Sequence, residues 1–60
     1  MKTEQETLSH LVASHRAEME LKALEGHGHA IYAELYWEQR EVTDHMNVQE
    51  LREEYKTWRG

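Results

Sequence analysis

Between Glu4 and Glu25 the chain holds neither proline nor glycine, and its apolar residues recur at a spacing that suits about 100° of rotation per residue. They fall on two arcs rather than one. Leu8, Leu11, Val12, Met19 and Ala23, with His15 among them, share the first arc, and Ala13, Ala17, Leu21 and Leu24 lie nearly opposite. A helix with two apolar sides must be covered twice. It is either the middle of a bundle, or it packs on its own chain with one side and on a second chain with the other.

Little chain remains to do the covering. Residues 30 to 40 read as a second helix centred on Ile31 and Leu35, with Tyr32 and Tyr36 beside them and Ala30, Ala33 and Trp37 on the far side. A third helix over residues 48 to 58 opens on Asn47 and Glu50, a capping-box pair, and carries the stripe Val48, Leu51, Tyr55, Trp58. Thr3 and Glu6 have the same spacing at the start of the first helix, which is expected over residues 4 to 25 with Gly26 as a left-handed cap. Residues 41 to 46 are a loop or a continuation of the second helix, since Thr43 and Asp44 can cap but nothing there must break a helix. The expected fold is all-α, one helical domain over residues 1 to 60. The first two helices form an antiparallel hairpin, and the third packs back on them.

A 60-residue chain buries only about 60% of its unfolded surface. Small scaffolds gain stability from disulfides, metals or assembly. No cysteine is present, so disulfides and thiolate metal sites are excluded and a reducing compartment is acceptable. The two apolar sides of helix 1 then favour a homodimer, with Leu8, Leu11, Val12, His15, Met19, Leu21 and Leu24 as its core and dimer residues. The net charge of −5 argues against indiscriminate binding to nucleic acid or anionic membrane. No apolar run approaches the roughly 18 residues of a membrane span. With no apolar stretch in the opening residues, the expectation is a cytoplasmic protein.

His27 and His29, spaced by Gly28 and preceded by Glu25, invite a metal reading because neutral imidazole is a common ligand. Two nitrogens do not complete a site: a structural zinc takes four protein ligands and a catalytic one three. The plainer reading is a chain reversal, with Gly26 and Gly28 supplying backbone freedom and the imidazoles solvated or capping. No metal and no cofactor is expected. His15 reads as a core or interface histidine, and the sharper alternative is a proton switch. Protonating all five histidines would take the formal charge from −5 to 0, so solubility or assembly is expected to change between about pH 7 and 5.5.

Tyr and Trp anchor protein interfaces, where one end of the ring system is buried and the other stays wet. Tyr32, Tyr36 and Trp37 lie among Glu34, Glu38 and Glu41, and this set is the candidate partner-binding surface. The middle third of the chain is the acidic part, with one positive and four negative side chains over residues 26 to 45. A basic partner suits it, including a nucleic-acid-binding protein whose site it would occlude. On helix 3, Gln49, Arg52, Lys56 and Arg59 fall on one arc of about 80°, so a helix-turn-helix-like DNA reader is the alternative. A connection over residues 41 to 47 is long for that motif, and the stripe is equally suited to carboxylates of the other helices. Catalysis has no motif: Ser9 and His10 are adjacent and point about 100° apart on a helix, and no Gly-rich phosphate loop or HExxH is present.

In size, in lacking cysteine and proline, and in its crowded helices, the chain resembles the small accessory proteins of bacteriophages and plasmids, including antiparallel helical-hairpin dimers that modulate RNA. The likeness is one of style, not motif, and carries no residue across. An acidic helix 2 would face the phosphates of an RNA unless pairing hid it. The expected function is therefore a non-enzymatic regulator or adaptor that binds another protein.

Overall fold

In a computed structural model, residues 3–24 and 32–59 are described, and they form three α-helices with no strand among them. Helix α1 spans Glu4–Ala23, α2 spans Tyr32–Thr43 and α3 spans Val48–Arg59. The expected 26–29 corner, including His27 and His29, and the Ala30 and Ile31 of the second helix lie outside the described residues.

Local chemistry explains each helix end. Thr3 is extended at the start of α1, and its hydroxyl accepts the Glu6 N–H at 3.1 Å, satisfying one of the donors a first turn leaves orphaned. Glu4 and Glu6 near the N-terminus and Lys22 near the C-terminus complement the helix dipole. The helix ends at Leu24, whose N–H reaches the Glu20 and Leu21 carbonyls, two residues before the glycine expected to cap it. At α3 the capping box is reciprocal: Glu50 N–H donates to Asn47 Oδ1 at 2.8 Å, and Asn47 N–H donates to Glu50 Oε1 at 3.1 Å.

Helix α2 runs three residues past the expected boundary, to Thr43. The i, i+4 pair of Arg40 Nε with Asp44 Oδ1 at 2.9 Å supports the extra turn, and Thr43 is fully buried against α1. Gln5 of α1 then closes the helix from outside. Its Nε2 amide donates towards the carbonyls of Thr43, Asp44 and Met46 at 3.5, 3.4 and 3.2 Å, and the Thr43 carbonyl also accepts the Met46 N–H at 3.1 Å. The connection to α3 is thereby shortened to residues 44–47.

Thr43 meets Ser9 while Gln39 meets Arg16, so α2 runs antiparallel to α1. Arg52 meets Glu4 while Trp58 stacks on His15, so α3 runs in the same direction as α1. Helices α2 and α3 both pack on α1 and scarcely touch each other. Helix α1 therefore carries both of its neighbours within the chain. The molecule measures 33 × 25 × 17 Å, a slab with α1 between its neighbours.

The two arcs of α1 are the flanks of one broad buried surface over Leu8, Ser9, Val12, Ala13 and Ala17. Leu8 and Val12 join Leu51 in the main apolar cluster, with Met46, Val48 and Tyr55 packed around it. Leu11, His15 and Leu21 are half-buried, whereas Met19 is 53% and Leu24 40% exposed. For Met19, on the arc that faces α3, length accounts for the exposure. Twenty residues make α1 about 30 Å long, but α3, at twelve, covers only about 18 Å of it. The last turns of α1 overhang its neighbour.

Candidate partner-binding face

The inward side of α2 holds one buried apolar residue, Leu35, together with Gln39 and the buried Thr43. The large apolar residues of this helix point the other way. Trp37 is 65% exposed, Val42 is also exposed, and Glu34, Glu38 and Glu41 surround them on the solvent side. At 100° per residue these five positions share an arc opposite Gln39 and Thr43. Trp37 and the three carboxylates thus share the exposed side of α2. Val42 belongs to it too, and its place is legible only once α2 is known to continue past residue 40.

Tyr32 and Tyr36 stand differently. Both are half-buried on the flank of α2, and Tyr36 serves as a brace. Its hydroxyl accepts from Arg40 Nη1 at 2.8 Å and lies 2.6 Å from His10 Nδ1 on α1. Its ring meets Trp37 edge to face, with centroids 5.0 Å apart, a favourable aromatic geometry. Trp37 is therefore held from behind, which lowers the rotamer entropy a partner would have to remove.

Behind this face runs a chain of side-chain hydrogen bonds that no motif announces. His10, Tyr36, Arg40, Asp44, Ser9 and Thr43 are linked in that order. Asp44 accepts from Ser9 Oγ at 2.7 Å, so the Ser9 proton is committed, and Thr43 Oγ1, 2.6 Å from Ser9 Oγ, is the donor there. The Ser9 hydroxyl and then Arg40 hold the Asp44 carboxyl below its ordinary value. Ser9 is fully buried and its hydroxyl engages Thr43 and Asp44, while His10 turns to Tyr36. Adjacency in sequence does not make the two a pair. Ser9 and Thr43 were detectable only as hydroxyl residues lying between apolar positions on their helical wheels.

The basic stripe of α3 is on the surface. Arg52 donates to Glu4 through Nε at 3.0 Å and Nη2 at 2.5 Å, an exposed bidentate pair, and Glu4 raises its pKa. Arg59 lies over the Tyr55 ring at 5.5 Å, and Gln49 and Lys56 are exposed. On the inner side, the half-buried Arg16 donates to Glu54 through Nε at 2.6 Å and through Nη2, and reaches Gln39 Oε1 at 3.4 Å. This one side chain touches all three helices. The connection of residues 44–47 falls within helix-turn-helix length, which removes that objection to the motif. Placement raises another, because α2 scarcely touches α3 and does not brace it.

His15 is half-buried and stacked on Trp58, with centroids 4.0 Å apart and planes 7° from parallel. The buried Trp58 Nε1 has no hydrogen-bond partner among the described residues. Among those residues no three His, Asp or Glu gather as a metal-ligand set, no pocket is found, and no helix is long and apolar enough to cross a membrane. Comparison with known proteins finds no matching family, no matching curated protein and no matching solved structure.

Proposed function

We propose that the protein is a non-enzymatic interaction protein, a regulator or adaptor, that takes a basic segment of another polypeptide on the outward face of α2. One observation carries this reading: Trp37, the largest apolar side chain of α2, faces solvent among Glu34, Glu38 and Glu41 while its inward side buries only Leu35 and Thr43. Trp contacts well-packed pockets and the faces of cationic groups more favourably than any other side chain, and three carboxylates steer a basic partner towards it. A cytoplasmic setting suits the cysteine-free chain.

The test is a pull-down from cell extract with wild-type protein and two variants as bait, read by mass spectrometry and followed by titration of the captured protein. Trp37→Ala is expected to weaken binding about thirtyfold, the loss of a 2 kcal/mol anchor. Glu34, Glu38 and Glu41 changed together to Gln should slow association and remove its salt dependence. Capture that survives both variants equally would place the binding surface elsewhere.

The four-residue connection between α2 and α3 favours a second reading, a DNA-binding regulator that uses Gln49, Arg52, Lys56 and Arg59. A gel shift with mixed duplexes at low salt decides it, since even non-specific binding appears there. Loss of the shifted band on changing Lys56 and Arg59 to Gln would establish that reading.

A further inference from the structure

Two outer surfaces of this chain are complementary in sign and in spacing. On α2 the carboxylates Glu34, Glu38 and Glu41 follow an i, i+4, i+7 pattern on the exposed side. On α3 the cations Arg52, Lys56 and Arg59 follow the same pattern, also exposed. Each set spreads its charge over about 10 Å of helix. The two cannot meet within one molecule, because α2 and α3 lie on different flanks of α1 and scarcely touch. They are free to meet between molecules.

We infer that the acidic, Trp37-bearing face of α2 docks on the basic stripe of α3 of a second copy, so that the protein associates with itself head to tail. This rests on the reading of the α2 face as a binding surface and names one occupant for it. Carboxylates and cations with equal spacing pair along the helices, and Trp37, set between Glu34 and Glu41, meets the aliphatic stems and charged heads of the basic residues. Arg52 arrives with Glu4 already on it, so Lys56 and Arg59 supply most of the free charge. The contact is heterologous: each association leaves one α2 face and one α3 face unused, and growth continues beyond the dimer unless a ring closes. The apolar sides of α1, the sequence-level argument for a homodimer, are not what this assembly uses.

The experiment is sedimentation velocity at increasing protein concentration, in low and high salt, with helicity checked by circular dichroism for every variant. Wild-type protein is expected to show species larger than a dimer at low salt, with association weakened about tenfold or more at high salt as exposed charges are screened. An acid-face variant, E34K with E38K and E41K, and a basic-face variant, K56E with R59E, should each stay monomeric. Mixed one to one they should associate again, because the reversed faces fit each other. That restored assembly is a result no general loss of folding can imitate. Wild-type protein that remains monomeric at low salt overturns the inference, as does a mixture no more associated than its components. A titration with a synthetic helical peptide carrying Arg, Lys and Arg at i, i+4 and i+7, followed by tryptophan fluorescence, separates the two levels. Peptide binding by a monomeric wild-type protein sinks self-association and leaves the α2 surface standing; no binding and no assembly sinks both.

Discussion

Helix α1 makes two contacts that differ in kind. Against α3 it presents Leu8 and Val12 to Leu51, with Met46, Val48 and Tyr55 closing the cluster, and no hydrogen bond is needed at its centre. Against α2 it presents Ser9, Ala13 and Ala17, and the contact is made by small side chains and by hydroxyls, with Ser9 on Thr43 and His10 on Tyr36. Apolar burial is strong but indifferent to direction, whereas hydrogen bonds are weak in net energy and exact in their geometry. The α3 contact therefore rests on apolar burial, and the hydroxyl bonds of the α2 contact set register. A helix seated by small residues and hydroxyls can leave its tryptophan and valine outside.

The sharpest way to break this contrast is to cut the same group from each side. Leu51→Ala removes the centre of a fully buried cluster and should cost towards the upper end of the usual 2 to 5 kcal/mol. At about 0.05 to 0.15 kcal/mol per residue, a chain of this size has about 3 to 9 kcal/mol of stability in all, so that loss removes about half of it or more. Leu35→Ala, at the α2 contact, should fall near the lower end of that range and leave a folded protein. Urea denaturation followed by circular dichroism measures both. Equal losses would show that the two contacts share the burial energy evenly.

Next in size is the hydroxyl pair. Thr43→Val leaves the shape of the contact and removes the donor to Ser9, whose hydroxyl keeps its bond to Asp44, so it should cost about 1.5 kcal/mol, the upper end for one hydrogen bond. Adding Ser9→Ala should then cost much less than it does alone. A double-mutant cycle in urea reads the coupling, and strict additivity would mean that the two hydroxyls do not hold each other. The mutations should also shift the chemical environment of Trp37, because Ser9 and Thr43 connect to it through Asp44, Arg40 and Tyr36.

Arg16 is where the two contacts join, and its removal should rank third. Arg16→Met keeps the stem and loses both the Glu54 pair and the Gln39 contact. The side chains are 29% and 27% exposed, so the expected loss is about 1 kcal/mol, near the top of the range for solvent-accessible pairs. Glu54→Gln, which keeps the shape, should lose less than that. If Arg16→Met instead matches Leu51→Ala, the bridging ion pair rather than the apolar cluster holds the bundle.

These elements were not equally legible in the sequence. Apolar period marks all three helices and capping pairs mark α1 and α3, because these are local signals. The end of α2 is tertiary: Thr43 stays helical because Ser9 buries it and Gln5 closes the turn, and both come from more than thirty residues away. Ser9 itself reads as a polar interruption between two arcs, although it lies at the middle of the buried surface. Trp37 with Glu34, Glu38 and Glu41 could be named as a surface from residue type alone, since charges crowd around an aromatic there. Tyr36 could not be told from Trp37, because only the fold brings His10 to its hydroxyl. Met19 reads as a core or dimer residue because a helical wheel has no length: it lies on the Leu8 and Val12 arc, beyond the reach of the twelve-residue α3.

The smallest expected effect is at the exposed rim of the α2 contact, and it depends on pH. Asp44 accepts from Ser9 Oγ at 2.7 Å and Arg40 Nε at 2.9 Å, and the two donors, Ser9 first, hold its carboxyl below the ordinary 3.8. A carboxyl whose folded value lies below its unfolded one binds protons more readily in the unfolded chain. Its contribution to stability is complete above about pH 3.8 and is lost as pH falls through the folded value. The side chain is about half exposed, so solvent screening keeps that contribution to a fraction of a kcal/mol. Asp44→Asn should accordingly lower the urea midpoint slightly at neutral pH and flatten its decline in acid, so that the two proteins converge once pH has fallen through the folded value. The register-setting side would then carry an acid response of its own, absent from Leu8, Val12 and Leu51, which have no proton to exchange. Midpoints that fall in parallel from pH 7 to 2.5 would show instead that the Ser9 and Arg40 bonds do not distinguish the charged carboxylate from its protonated form.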